Sequence, residues 1–262
     1  MTETASTPPK RRRGIYLLPN LFTTGCLFSG FYAILAAIKG DFEAASIAIF
    51  VAMIMDGLDG RVARLTNTQS AFGAEYDSLS DMVAFGVAPA LVMYLWALSG
   101  MGKLGWLAAF IYTACAALRL ARFNTQIGIA DKRFFQGLPS PSAAAILASA
   151  VWLAVDHELA GDDLSWIAAA VTALSGLLMV SNLRFHSFKE IDFRGRVPFI
   201  AAVSLMLVFG VIFFHPPLVL FLGFLAYAVS GPALTLVYLR RRRSERARGG
   251  GRQDKGTDTS AK

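Results

Sequence analysis

The chain has few charged residues and few cysteines, and both shortages limit what it can be. Only 16% of its 262 residues are charged, against about a quarter in a soluble domain, while 55% are hydrophobic. This composition excludes an ordinary soluble domain and predicts a polytopic membrane protein. The two cysteines, Cys26 and Cys115, lie in apolar runs without a pairing signature. A disulfide framework is therefore excluded, and both are interpreted as small buried side chains.

Long apolar segments fill most of the chain. Most are close to the roughly 20 residues that a membrane-spanning helix needs, although several are short. They lie near 17–38, 42–63, 72–98, 104–122, 140–156, 164–182, 197–214 and 217–239. The predicted fold class is all-α: a polytopic membrane helix bundle of about eight transmembrane helices within residues 14–239. Basic tails at 1–13 and 240–262 are predicted to be disordered.

The basic residues are distributed unevenly about these segments. With a cytoplasmic N-terminus, all of the 25 Lys and Arg except Lys39 and Lys103 fall on the cytoplasmic side. The acidic loop at 156–163 contains no Lys or Arg and falls outside. Both termini are therefore predicted to be cytoplasmic. The protein itself is predicted to lie in the cell's inner membrane. Because the net charge of +7 is concentrated in tails and short loops, the expected partners are anionic membrane lipids and not nucleic acid.

Four aspartates interrupt two of the apolar segments: Asp56, Asp59, Asp77 and Asp81. Ionisable groups at membrane depth are costly and indicate function. Four carboxylates that repel one another are best explained by bound divalent cations such as Mg²⁺ or Mn²⁺, which prefer oxygen ligands. An ion-pair network with Arg61 and Arg64 is the alternative, but two arginines cannot neutralise four carboxylates.

Helical periodicity predicts that these aspartates meet. Asp56 and Asp59 share one face of a helix, and Asp77 and Asp81, four residues apart, share a face of the next. Two antiparallel helices joined by a short loop can direct all four into one crevice near the cytoplasmic face. At 1.5 Å per residue, Asp81 is expected about 13 Å inside its span.

The pattern around the aspartates resembles the signature of the CDP-alcohol phosphatidyltransferase family at every fixed position, including its eight-residue gap. The matching residues are Asp56, Asp59, Gly60, Ala63, Arg64, Gly73, Asp77 and Asp81. The resemblance implies a core of six helices, here with two more, and a pairing of chains as homodimers. It also implies a reaction in which an alcohol displaces CMP from a CDP-linked lipid.

The resemblance further implies roles for individual residues. Asp56, Asp59 and Asp77 would hold two divalent ions, and Asp81 would complete the second site and accept the proton of the attacking hydroxyl. The residues expected to bind the CDP-lipid are Asn20, Thr23, Gly60, Ala63, Arg64, Ser70 and Gly73. Arg64 is otherwise explained as a basic flank that sets topology.

Further stretches resemble the branch of the family whose acceptor is serine. They lie at 16–20, 77–81, 119–124, 135–141 and 187–189. This resemblance implies that CDP-diacylglycerol and L-serine give phosphatidylserine and CMP. The candidates for binding the serine carboxylate are Arg119, Arg122, Asn124 and Lys189, although each is equally explained as a topology-setting flank.

Two other functions stay open from the sequence. One is the same reaction with glycerol 3-phosphate, choline or inositol phosphate as acceptor. A phosphorylated acceptor would need a denser cluster of cations than Arg61 and Arg64 provide, which favours a small zwitterion. The other is a cation transporter that uses the aspartates as its ion path. Transporter sites usually lie near the midplane between repeats, whereas this site lies toward one face and no repeat is visible.

Overall fold

The computed structural model describes residues 17–126, 134–186, 206–207, 210–211 and 213–249, and helices form nearly all of this part of the chain. The α-helices are α1 (Leu17–Ile38), α2 (Phe42–Leu65), α3 (Ala71–Asp81), α4 (Ala88–Met93), α5 (Lys103–Gln126), α6 (Ser140–Asp156), α7 (Ser165–Val180) and α8 (Pro216–Gly249). Two π-helical segments, Met82–Val87 and Tyr94–Leu98, continue the span that α3 begins, and 3-10 turns lie at Ser99–Met101 and Gly161–Leu164. Strands β1 (Phe134–Gln136) and β2 (Arg184–His186) form a small antiparallel ribbon.

The helices agree closely with the predicted apolar segments, and the helical, multi-pass character of the protein is confirmed. Five helical stretches are long and apolar enough to cross a membrane: Leu18–Ile38, Ala71–Met101, Lys103–Thr125, Gly161–Val180 and Pro216–Thr235. Helix α6 is apolar but shorter, and α2 has the length but carries the charged motif at its end. The predicted segment 197–214 lies mostly outside the described residues. The count of eight spans therefore stays a prediction.

The two tails that are predicted to be disordered, residues 1–13 and 240–262, compare differently with the structure. Residues 1–13 lie outside the described part of the chain. Helix α8 continues past Arg240 to Gly249, so helical backbone extends into the stretch where the sequence predicts disorder. Residues after 249 are outside the described range.

The interior of the bundle is rich in small side chains, while many large apolar ones face outward. Helix α6 lies at the centre, against α2, α4, α7 and α8, and its Ala143, Ala144 and Ala145 are fully buried. Phe28 and Trp166, in contrast, are 67% and 73% exposed. Small residues allow helices to approach closely in a membrane, where large apolar surfaces are covered by lipid.

Helix α1 contacts both α2 and α3 and approaches the first π-helical segment at Gly30. A Cβ on Gly30 would lie 2.6 Å from Cα of Ala84, closer than any side chain allows. Glycine is thus required for this backbone contact. The contact holds α1 beside the two helices that carry the aspartates.

The π-helical segment begins directly after Asp81, and a side chain from α5 supports it. Pro89 has no N–H, so the carbonyl of Phe85, four residues earlier, lacks its helical donor. The hydroxyl of Tyr112 donates to that carbonyl at 3.0 Å. This bond satisfies a buried polar group and fixes α5 against the end of the helix that contains Asp81.

The β-ribbon closes the bundle where α6 begins. Gly137 follows β1 with a φ of +82°, and a Cβ there would collide with the carbonyl of Met179. Its N–H donates to the carbonyl of Leu183 at 2.9 Å. The glycine turn therefore places the start of α6 beside the end of α7.

The helix ends divide the functional groups between two ends of the bundle. One end holds the start of α1, the end of α2, the start of α3 and the end of α5, which together carry all the sequence-predicted site residues in the described part of the chain. The opposite end holds the end of α6 and the start of α8. We call these the carboxylate end and the histidine end, the latter for His157 and His215.

Candidate active site

Three of the predicted carboxylates lie together at the carboxylate end. Oxygen atoms of Asp56, Asp59 and Asp77 all lie within 4.8 Å of one another. Asp59 is only 5% exposed, while Asp56 and Asp77 are half-buried. The helix-face prediction thus agrees with the structure for these three residues, which come from α2 and α3. Helix α1 packs against both of these helices.

Asp81 lies one turn deeper on α3 and adjoins this group through Asp56, with which its side chain is within hydrogen-bonding reach. Its Oδ1 atom is buried and has no hydrogen-bond partner among the described residues. Burying a carboxylate oxygen without a partner is costly, so the arrangement indicates a ligand at this position.

Thr23 of α1 positions one of the carboxylates. Its hydroxyl lies 2.8 Å from Oδ2 of Asp59, to which it donates, and 3.2 Å from the carbonyl of Pro19. Thr23 is 4% exposed. Because Asp59 also accepts from the backbone of Gly60, its orientation is fixed from two helices.

The donor set fits a hard divalent cation. All the nearby ligand atoms are carboxylate oxygens, the type that Mg²⁺ and Mn²⁺ prefer. Asp56, Asp59 and Asp77 each offer one within the common 4.8 Å, and the Asp81 carboxylate adjoins them. Among the described residues, Arg64 acts electrostatically on Asp59, and Arg119 is within electrostatic range of Asp81 and Asp56.

Several predicted CDP-lipid contacts meet where α3 begins. Ser70 is the N-cap of α3, and its Oγ accepts from the N–H of Gly73 at 3.0 Å. A Cβ on Gly73 would lie 3.6 Å from Oδ1 of Asn20, so α1 and α3 approach each other here. Ser70 therefore has a structural task that the sequence did not reveal, while its hydroxyl proton can still be donated.

The other predicted contacts follow Asp59 along α2. Gly60 leaves open space, since a Cβ there would meet only the guanidinium of Arg64, at 3.8 Å. Ala63 is half-buried, and Arg64 is exposed and acts on Asp59 electrostatically. The small residues and the arginine thus border the carboxylates on their solvent-facing side.

The predicted acceptor residues have different environments. Arg119 is half-buried, donates to Oγ of Ser140 at 2.7 Å, and lies within electrostatic range of Asp81. Arg122 donates to Oδ1 of Asn182 at 3.0 Å, at the end of α7. Lys189 lies outside the described residues.

The last candidate for binding the acceptor serine is Asn124, which lies beside α3. Its Nδ2 donates to Oγ of Ser78 at 3.0 Å, next to Asp77 in the chain. Thr24 similarly hydrogen-bonds Tyr76 at 2.9 Å on the other flank of α3. Neither pair could be predicted from local patterns, because the members are 46 and 52 residues apart in the chain.

Comparison with known proteins supports the motif. The profile of the family described as CDP-alcohol phosphatidyltransferase matches residues 16–181. The chain is 38% identical over 195 residues to a CDP-diacylglycerol–serine O-phosphatidyltransferase of Helicobacter pylori, covering 74% of this chain and 82% of the relative. It is 38% identical over 183 residues to the Mycobacterium tuberculosis protein of that name, with 67% and 63% covered. It is also 34% identical over 178 residues to an archaetidylserine synthase of Methanothermobacter thermautotrophicus, with 67% and 72% covered.

Proposed function

The chain belongs to the CDP-alcohol phosphatidyltransferase family, and we propose that it transfers the phosphatidyl group of CDP-diacylglycerol to the hydroxyl of L-serine. The products are phosphatidylserine and CMP. The observation that carries this proposal is the convergence of Asp56, Asp59 and Asp77, with oxygens within 4.8 Å, in a chain whose relatives are named for the serine reaction.

Asp56, Asp59, Asp77 and Asp81 would hold divalent metal, Mg²⁺ or Mn²⁺, as two ions. When bound, the metal neutralises phosphoryl charge and favours departure of CMP. Thr23 keeps the Asp59 carboxylate oriented for this task. The common position of three carboxylate oxygens, within 4.8 Å of one another, supports the assignment.

Asp81 is the proposed general base. The hydroxyl oxygen of serine forms a bond to the phosphorus that carries diacylglycerol, and the phosphorus–oxygen bond to CMP breaks in line with it. The hydroxyl proton passes to Asp81. Its Oδ1, buried and without a partner among the described residues, is an available acceptor in the crevice.

The nucleotide part of the substrate would lie between the starts of α1 and α3 and the end of α2. Gly60, Ala63 and Gly73 leave space for its approach. Arg64 would bind the diphosphate, because guanidinium groups bind such anions through paired hydrogen bonds. Asn20, Thr23 and Ser70 complete the proposed surface. The proximity of Asn20 to Gly73 supports a shared site.

Arg119 is the strongest candidate for binding the serine carboxylate. It is half-buried and lies within electrostatic range of Asp81, the proposed base. Of its five guanidinium N–H donors, one bonds Ser140, so others can reach a carboxylate. Arg122, Asn124 and Lys189 are secondary candidates.

We place the reaction at the cytoplasmic face of the inner membrane. The uneven distribution of Lys and Arg supports this orientation, with eight spans and both termini inside. A crevice at that face can receive serine from the cytoplasm and CDP-diacylglycerol from the bilayer. We also propose that the chain acts as a homodimer, as the family resemblance implies.

The deciding experiment measures CMP release by the purified protein from CDP-diacylglycerol with Mg²⁺ or Mn²⁺. L-serine is compared with glycerol 3-phosphate, choline and inositol phosphate. The expected result is release with serine alone and phosphatidylserine as the lipid product. Stimulation by another acceptor would retain the site but overturn the serine assignment, and no release with any alcohol would reject the transferase.

Replacing Arg119 with glutamine is expected to raise KM for serine about 10- to 100-fold, because a charge-assisted bond contributes roughly 1.5–3 kcal/mol. The measurement is the serine dependence of CMP release at saturating CDP-diacylglycerol. Lys103→Gln, at the other end of the same helix, is the matched control and should change KM little. Ethanolamine lacks the carboxylate, so its KM should be the same for Arg119→Gln as for the unaltered protein. An equal penalty for both acceptors would remove Arg119 from the carboxylate site.

A further inference from the structure

A second cluster of metal-ligating side chains lies at the histidine end. His157 follows α6, His215 precedes α8, and Asp156 is the last residue of α6. One ligand atom from each lies within 4.8 Å of the other two. The proposed transferase reaction uses none of the three.

This cluster is separate from the carboxylate crevice. Helix α6 begins at Ser140, which bonds Arg119 beside the crevice, and ends at Asp156. At 1.5 Å per residue, these two ends are about 24 Å apart.

The geometry suits a small tetrahedral ion. Nε2 of His215 lies 3.6 Å from Oδ2 of Asp156, and the rings of His157 and His215 are stacked with centroids 5.8 Å apart. Ligands at about 2.0–2.1 Å from a tetrahedral Zn²⁺ are about 3.4 Å from one another. The His215–Asp156 pair is already near that spacing, and the ligand atom of His157, an exposed side chain, lies within 4.8 Å of both.

The surroundings also favour a cation. The carbonyl end of a helix carries partial negative charge, and Asp156 ends α6. The loop that follows contains Glu158, Asp162 and Asp163 and no Lys or Arg. The His215 and Asp156 side chains are 33% and 44% exposed, so an ion can reach them from solvent.

We propose that Asp156, His157 and His215 bind a Zn²⁺-class ion that joins the end of α6 to the start of α8. Two imidazoles and one carboxylate match the nitrogen and oxygen ligands that zinc takes, whereas Mg²⁺ is poorly served by histidine. The fourth position is open to water. Because α6 and α8 pack along each other, the ion stabilises their pairing from the end opposite the carboxylates.

The test uses the full-length protein purified with a histidine-free tag, in detergent with excess Mg²⁺. Zn²⁺ is titrated calorimetrically, and Co²⁺ is followed by its visible absorption, which is much stronger in a tetrahedral site than in an octahedral oxygen site. The expected result is one equivalent of Zn²⁺ and a tetrahedral Co²⁺ spectrum. His157→Gln and His215→Gln should each weaken Zn²⁺ binding by more than about tenfold. Even the loss of a residue that only hydrogen-bonds to a metal ligand lowers metal affinity about 10- to 100-fold.

The matched control is His186→Gln, which changes the remaining histidine of the chain, the one in β2. This variant should bind Zn²⁺ like the unaltered protein, and its unfolding temperature should rise with Zn²⁺ concentration. His215→Gln should lose that rise while retaining CMP release with Mg²⁺, which shows that it is folded. Absence of Zn²⁺ binding would leave only an ion pair between His215 and Asp156 and overturn the proposal. Binding that persists in both histidine variants would assign the ion to the carboxylate crevice and also overturn it.

Discussion

Asp81→Asn is expected to lower the rate of CMP release about 10²- to 10⁴-fold with little loss of stability. The asparagine side chain has nearly the same shape but cannot accept the proton of the serine hydroxyl, and a positioned base contributes a rate factor of this size. The measurement is kcat for CMP release at saturating serine, CDP-diacylglycerol and Mg²⁺. Glu75→Gln, an exposed carboxylate on the same helix, is the matched control and should retain full turnover.

The same variant distinguishes a base from a metal ligand. Asp81 is not among the three carboxylates whose oxygens lie within 4.8 Å of one another. If Asp81 acts mainly as a base, Asp81→Asn should change the Mg²⁺ concentration for half-maximal rate less than Asp59→Asn does. Its residual rate should also rise with pH, as hydroxide replaces the lost base. A rate restored merely by more Mg²⁺ would make Asp81 a ligand, and full turnover would remove it from the chemistry.

Local patterns in the sequence were sufficient to predict most of the helices and the three clustered carboxylates. The first helix begins and ends at the predicted residues 17 and 38, because hydropathy and charged flanks are local properties of the chain. Asp56 and Asp59 are on one helix face by periodicity alone. The short connection from Leu65 to Ala71 then limits where Asp77 can lie.

The contacts between distant segments could not be predicted in this way. The bond from Thr23 to Asp59 spans 36 residues, and Arg119 near the end of α5 donates to Ser140 at the start of α6, 21 residues further along the chain. His157 and His215 belong to segments that are separate in sequence and meet only because α6 and α8 lie side by side. Such pairs depend on helix packing angles, which a single sequence does not fix.

The irregular continuation of α3 is a second feature that the sequence could not predict. A proline in an apolar run predicts a disturbed helix, but not that the turn widens over Met82–Val87 directly after Asp81. The donor that compensates, Tyr112, comes from another helix. Irregular helix turns of this kind are frequent at functional sites, and here the turn follows the proposed base.

Removing divalent metal with a chelator is expected to reduce CMP release to background, and adding Mg²⁺ or Mn²⁺ should restore it. Four carboxylates at the end of α2 and in α3 cannot bind a diphosphate while they remain unneutralised, since like charges in a poorly hydrated crevice repel the substrate. The measurement is the rate of CMP release after chelation and during readdition of each ion. Turnover that resists chelation would reject the metal site.

Thr23→Val tests how the structure holds that site. Valine keeps the shape of threonine but removes the hydroxyl that donates to Asp59 at 2.8 Å. Loss of such an orienting bond should raise the Mg²⁺ concentration for half-maximal rate about 10- to 100-fold, with the rate at saturating Mg²⁺ less affected. Thr24→Val is the matched control, because the Thr24 hydroxyl instead pairs with Tyr76 and the carbonyl of Asn20. If both variants require the same Mg²⁺ as the unaltered protein, Thr23 stabilises the helix pair without tuning the ion, and its part in the site reduces to packing α1 against α2.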